Sequence, residues 1–358
     1  MDFKPTVTMV AVVIVFAVMN TLTKMAFNEG MHTTVLIVLR QLTATLFLAP
    51  IAYFRERCMC RKTRPKLTTE IFIYLFFSAL LGASLTQWLF FLGLRYTTAT
   101  FSCAFINMTP MFTFLLALPF KIERLNVATR SGAAKLIGTT VGLTGALVLA
   151  LYQGPSLTSY HTAAAAASVG HPAHAVGGAR RWAVGSAALL GGSASWSLWF
   201  ILQSKIGAKY PALYSGTAWM FFLSFLQMAA VGAVTEKMTF HVWVVATRLQ
   251  VVTVLFVGIA GSGLGFLAMS WCVERRGPVF TTAFMPLVQI VAAGINVVAL
   301  HEQLHLGSVL GAALVVVGLY FVLWGKSNEA RNKELCPPPS DPKLTVVDEC
   351  GSRIDQAV

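Results

Sequence analysis

VTMVAVVIVFAVMNTLTKMAF, residues 7–27, is apolar or neutral throughout except for Lys24. An α-helix rising about 1.5 Å per residue needs about 20 such residues to cross a hydrocarbon core of about 30 Å, so the stretch has the length and character of a membrane span. Working outward, nine further stretches of the same kind appear at 35–54, 71–92, 98–118, 132–152, 183–204, 212–235, 250–272, 279–300 and 306–325. Within lipid the backbone must satisfy its own hydrogen bonds, which leaves helices or closed barrels. Barrel strands are short and alternate in polarity, unlike Leu143–Leu151 or Leu314–Leu323. The sequence therefore predicts an all-α membrane protein with ten transmembrane helices.

Bulk composition agrees: 56% hydrophobic and 11% charged residues, with a mean hydropathy of +0.70. The net charge of +13 raises nucleic acid as a partner, but its placement argues otherwise. With alternating spans, 20 of the 27 Lys and Arg fall on the side that holds both termini, and five on the other. Lys24 and Arg40 remain inside spans. That asymmetry is the positive-inside pattern, and it predicts cytosolic termini with no nucleic-acid role. The first apolar run is too long for a cleaved leader and is expected to stay as a signal anchor. Of the six cysteines, Cys58, Cys60, Cys272, Cys336 and Cys350 fall on the cytosolic side and Cys103 within a span, so no structural disulfide is expected.

Two halves are visible. Phe105-Ile106-Asn107-Met108-Thr109-Pro110 in span 4 corresponds to Ala283-Phe284-Met285-Pro286 in span 9. Glu123-Arg124-Leu125 corresponds to Glu302-Gln303-Leu304, and glycines seven apart follow each, Gly138 and Gly145, then Gly311 and Gly318. Five spans per half make the second copy enter the bilayer from the opposite side, which is an inverted repeat and a transporter architecture with a midplane site. The expected divisions are a first repeat at 1–152, a flexible extracytosolic linker at 153–182, a second repeat at 183–325 and a disordered cytosolic tail at 326–358.

On these residues a family resemblance also rests. Gly93-Leu94-Arg95-Tyr96-Thr97-Thr98-Ala99-Thr100-Phe101 with Asn107 and Pro110, then Ile201-Leu202-Gln203, Lys209-Tyr210-Pro211-Ala212 and Thr217-Ala218-Trp219, resemble the plant drug/metabolite exporters. These are also called walls-are-thin-related or nodulin-like EamA transporters. The ending Gly318-Leu319-Tyr320 through Leu323-Trp324-Gly325-Lys326 is similar too, so the likeness covers about residues 5–327. It implies two EamA-type five-helix repeats and a carrier in the plasma membrane, or alternatively the vacuolar membrane, with amino acids or auxin-related compounds among the family's solutes. Two positions depart: Trp88 follows Gln87 where Asn is common, and Met285 precedes Pro286 where a polar residue is common.

Charge inside hydrocarbon costs at least about 2.5–3.5 kcal/mol, so Lys24 and Arg40 must pair, hydrate or function. A guanidinium suits a substrate carboxylate, held bidentately. Gln87, Asn107, Gln203 and Gln289 supply neutral polarity, and Trp196 an aromatic wall; together with the two cations they form the expected substrate-binding set. Pro110 and Pro286 each remove a backbone hydrogen bond at equivalent places and are the expected hinges. No Asp, Glu or His lies at mid-membrane, so the sequence predicts an uncoupled facilitator, with no metal, no cofactor and no catalytic centre. Gly261-Ser262-Gly263-Leu264-Gly265 follows no strand and is expected to serve close helix packing. Competing readings are a nucleotide-sugar or other metabolite exporter, and a non-transporting receptor or scaffold.

Overall fold

A computed structural model gives the architecture of residues 3–55, 68–97, 102, 105–120, 129–152, 176–235, 243, 247–299, 306–335, 346–347 and 353–354. The helices are α1 (Lys4–Asn28), α2 (Thr33–Ala52), α3 (Thr69–Tyr96), α4 (Phe105–Ala117), α5 (Arg130–Leu151), α6 (Val176–Lys209), α7 (Leu213–Thr235), α8 (Arg248–Arg276), α9 in two pieces (Pro278–Ala283 and Met285–Ala299) and α10 (Leu306–Leu335). Among the described residues seven helices are long and apolar enough to cross a membrane: α1, α2, α3, α6, α7, α8 and α9. Among the described residues each expected span overlaps one of these helices, and Phe105–Ala117 and Val309–Gly325 are shorter apolar helices. Outside them, Val346–Val347 pairs antiparallel with Arg353–Ile354.

Local chemistry sets the helix ends. Thr68, Thr129 and Thr247 are extended N-caps whose hydroxyls accept from the amides of Ile71, Gly132 and Gln250 at 3.4, 3.2 and 3.3 Å. Gly277 closes α8 at φ +85°, a left-handed geometry that glycine adopts without penalty, and Pro278 starts α9 at once.

The packing is two-fold. α1 lies on α8 and α9, and its counterpart α6 lies on α3 and α4; α2 packs on α7, and α5 on α10. Each pairing has its mate under the exchange of first and second halves, as an inverted repeat requires. The expected glycines make the α5–α10 seam: a Cβ on Gly138 would come within 2.7 Å of the Gly318 carbonyl, and one on Gly145 within 2.9 Å of the Gly311 carbonyl. Without side chains the two backbones touch, the close approach by which small residues join membrane helices.

The half of the bundle where α1 starts, the proximal half, is the tightly packed one. Met9, Val12 and Phe16 of α1 meet Leu48 of α2, Leu75 of α3, Phe200 and Tyr210 of α6, Phe221 of α7, Met269 of α8 and Phe284 of α9 in one continuous cluster. At its centre Trp199, fully buried, donates its indole N–H to Ser78 Oγ at 3.1 Å. The distal half holds a smaller cluster among the described residues, Ala26, Met31, Val35, Leu36 and Val254 with Phe27 and Trp243 packed against it.

Two boundaries differ from expectation. α10 runs on to Leu335, ten residues into the expected disordered tail, because Lys326–Leu335 contains no Gly or Pro, whereas Pro337-Pro338-Pro339 follow. α6 begins at Val176, inside the expected linker. The rest of that linker, and Cys58, Cys60, Cys103, Glu123 and Glu302, lie outside the described residues.

Candidate functional site

Both α3 and α8 lose α-helical winding at mid-length. Leu80–Leu85 in α3 and Val257–Gly265 in α8 are π-helical. Their sequences correspond, Leu81-Gly82-Ala83-Ser84-Leu85 with Ala260-Gly261-Ser262-Gly263-Leu264. The α8 run therefore does more than the expected close packing, because π turns widen the helix and free backbone groups, and they concentrate at functional sites. The glycines admit large side chains from the helix opposite: a Cβ on Gly82 would enter the Trp199 indole, and one on Gly265 would lie 2.7 Å from Phe16 Cε1.

Polar side chains gather at this level and just distal to it. Arg40 of α2 reaches across to Gln87 of α3, whose amide oxygen, in the orientation that satisfies both groups, accepts from Nη1 at 3.2 Å and also from Nη2. Arg40 Nε is buried with no partner. Beside it Gln41, fully buried, donates from Nε2 to the Ala83 carbonyl at 3.0 Å and leaves Oε1 unpartnered. Ser84 hydrogen-bonds Ser224 Oγ and donates to Gln227 Oε1, each at 2.7 Å, and Gln227 Nε2 has no partner. Arg40 makes no ion pair with a carboxylate among the described residues.

Of the expected binding set, the structure brings Arg40 and Gln87 together and disperses the others. Trp196 of α6 is half-buried, stacked on Trp199 at 5.0 Å and 14°, with Phe266 edge-on at 5.4 Å. It packs on the edge of the proximal cluster. Gln203, 7% exposed, lies two turns deeper on the same helix, within the packed half. Gln289 is half-buried on α9, and Lys24 is exposed on α1. Asn107 is 2% exposed, with both amide atoms unpartnered, and faces a cavity of about 20 Å³ between α4, α5, α9 and α10. That volume accommodates one water molecule, not a solute.

The same small cavity is lined by Pro110 and Pro286. The helices break identically there: α4 turns at Met108 and α9 at Phe284, each two residues before its proline. The Met108 amide falls back to Phe105 O at 3.1 Å and the Phe284 amide to Thr281 O at 3.4 Å, three residues back instead of four. Two larger apolar grooves, of about 340 Å³ beside Tyr53 and Trp219 and about 490 Å³ beside Tyr74 and Phe120, touch neither Arg40 nor Gln87.

Sequence reasoning missed Gln41, Ser84, Ser224 and Gln227, and also Lys135, which is 2% exposed at the start of α5. The recurrence of the Gly-Ala-Ser and Gly-Ser-Gly triplets in spans 3 and 8 was the available signal.

Comparison with known proteins gives the same two-part division. The EamA-like transporter family matches residues 4–151 and again 183–324. A WAT1-related protein of Arabidopsis thaliana is 43% identical over 338 residues, covering 94% of this chain and 90% of its own length. The protein WALLS ARE THIN 1 of the same plant is 34% identical over 326 residues, covering 88% and 81%. A solved crystal structure shares the fold alone, with a TM-score of 0.67 at 14% identity over 90% of this chain and 98% of the other. Two family matches on two helical repeats, joined by relatives matched along nearly their whole length, place the chain in the EamA-like transporter family as a multi-pass membrane transporter of small solutes.

Proposed function

We propose that the protein is a facilitator of amino acids or related small organic solutes, crossing the bilayer ten times with both termini in the cytosol and working by alternating access without ion coupling. The observation that supports this reading best is Arg40: a guanidinium at membrane depth, half-buried, held by the neutral Gln87 and by no carboxylate among the described residues. A cation so placed is costly unless hydrated or liganded, and a solute carboxylate is its natural complement. The aromatic plug beneath Trp196 closes the proximal side, and the matched breaks at Pro110 and Pro286 are the points about which the repeats rock. The plasma membrane is the proposed location, with the vacuolar membrane as alternative. A nucleotide sugar needs several cations for its phosphates; Lys135 lies at the α5–α10 seam and Lys24 is exposed, so the described basic groups do not converge as that competitor requires.

The test is efflux of a labelled amino-acid panel from oocytes, wild type against Arg40→Ala and Arg40→Lys, with surface expression measured. Wild-type flux that Arg40→Ala abolishes and Arg40→Lys partly restores is expected. Unchanged flux in Arg40→Ala removes Arg40 from the site, and accumulation driven by a pH gradient in proteoliposomes overturns the uncoupled mechanism.

A further inference from the structure

Three side chains at the junction of α2, α3 and α7, Arg40 among them, share a pattern: each is anchored to one partner by hydrogen bonding and has one buried polar atom left over. Gln87 takes the two Nη groups of Arg40 and leaves Nε. The Ala83 carbonyl fixes the Gln41 amide and leaves Oε1; Ser84 fixes Gln227 through Oε1 and leaves Nε2. Helix-joining polar networks in membranes close on themselves, since an unsatisfied buried group costs about 1–3 kcal/mol. This one stays open by two donors and one acceptor. It also spans a gap, because α2 packs on α7 and α8, not closely on α3, so the long side chains of Arg40 and Gln41 bridge the interval.

We propose that Arg40 Nε, Gln227 Nε2 and Gln41 Oε1 form one recognition subsite for a carboxylate bearing an adjacent ammonium, the head group of an amino acid. The carboxylate takes the two donors, one of them the charged guanidinium edge that favours two-point binding; the ammonium takes the Gln41 oxygen. Ser84 is a positioning residue, turning the Gln227 amide so that its nitrogen is the free end. This rests on the proposed solute class and adds how the head group is read.

Gln227→Glu is the decisive variant. It keeps the oxygen that accepts from Ser84 and exchanges only the unpartnered nitrogen for a negatively charged oxygen. Labelled alanine, glutamine and phenylalanine, each beside its carboxamide, are followed in oocytes expressing the full chain. Gln227→Glu is expected to reduce amino-acid flux at least about tenfold while sparing the carboxamides, which lack the anion. Equal loss of both, or no loss, overturns the subsite. If the variant fails to reach the surface, Gln41→Met and wild type are compared as purified protein by thermal shift with alanine against propionate. Wild type is expected to prefer alanine and Gln41→Met to lose the preference; a retained preference overturns the assignment. Wild type that moves none of the amino acids refutes the solute reading itself, whereas normal wild-type transport with an indifferent Gln227→Glu refutes only the subsite.

Discussion

The π-helical segment of α3 and that of α8 occupy equivalent places in the two repeats, yet their surroundings differ. Both accept a large side chain against the corresponding glycine, Trp199 at Gly82 and Met19 at Gly261. On the α3 side the neighbouring helix α7 offers Ser224 and Gln227 to Ser84. On the α8 side the neighbouring helix α2 offers Thr43 to Gly258 and Phe47 to Gly263. Symmetry thus governs the scaffold, where glycine and bulk must complement each other, and is abandoned in the chemistry.

If the scaffold is symmetric, equal insults to its two copies should have equal effects. Gly82→Leu and Gly261→Leu each drive a side chain into the one packed against that glycine, the Trp199 indole and the Met19 thioether, and are expected to abolish folded protein at the membrane, read by size-exclusion profile after detergent extraction. One variant folding normally while the other is lost breaks the equivalence.

The α5–α10 seam permits a sharper contrast. A Cβ on Gly318 would strike the Gly142 backbone, which cannot yield, whereas a Cβ on Gly142 would find Gly318 Cα at 3.9 Å, ordinary contact. Gly318→Ala is expected to destabilise by roughly 1–3 kcal/mol through forced separation of the helices, and Gly142→Ala to leave the melting temperature near wild type. Similar melting temperatures for the two contradict the seam as drawn.

That seam was legible in the sequence, since Gly138, Gly145, Gly311 and Gly318 repeat at seven residues and a helix seam has that period. The spans were legible too, because lipid imposes length and hydrophobicity on each one separately. The paired breaks at Pro110 and Pro286 followed from proline's missing N–H. The site was less so. Arg40 and Gln87 declared themselves as polar groups in apolar runs, but Asn107 and Gln203 satisfied the same criterion and lie at a water-sized cavity and in the plug. Polarity marks a residue as unusual; only the helix face, fixed by packing, says what it meets. Ser84 and Ser224 escaped notice because serine is ordinary in membrane helices. The π turns escaped because they depend on tertiary contacts that no short pattern encodes.

The helix caps compare the repeats at smaller energy. Thr68 and Thr247 cap the equivalent helices α3 and α8, and replacing either with alanine is expected to cost about 1 kcal/mol. Thr247 also donates to the carboxylate of Glu29 at the end of α1, so its variant should be the more damaging of the two by thermal denaturation. Reversal of that order removes the Glu29 contact from the account.

The smallest effect belongs to the proximal counterpart of that contact. Lys209 at the end of α6 pairs with Glu70 at the start of α3 and lies 4.9 Å from the Tyr74 ring centroid, but the two side chains are 48% and 62% exposed. Solvent and salt screen such a pair, and ordering two long side chains offsets the attraction, so Lys209→Met is expected to leave the melting temperature unchanged at any ionic strength. The pair ties the end of α6 to the start of α3 at the edge of the proximal half. A salt-dependent drop in stability would mean instead that the pair is part of the scaffold, and that the proximal half is held together by charge as well as by the apolar contacts around Trp199.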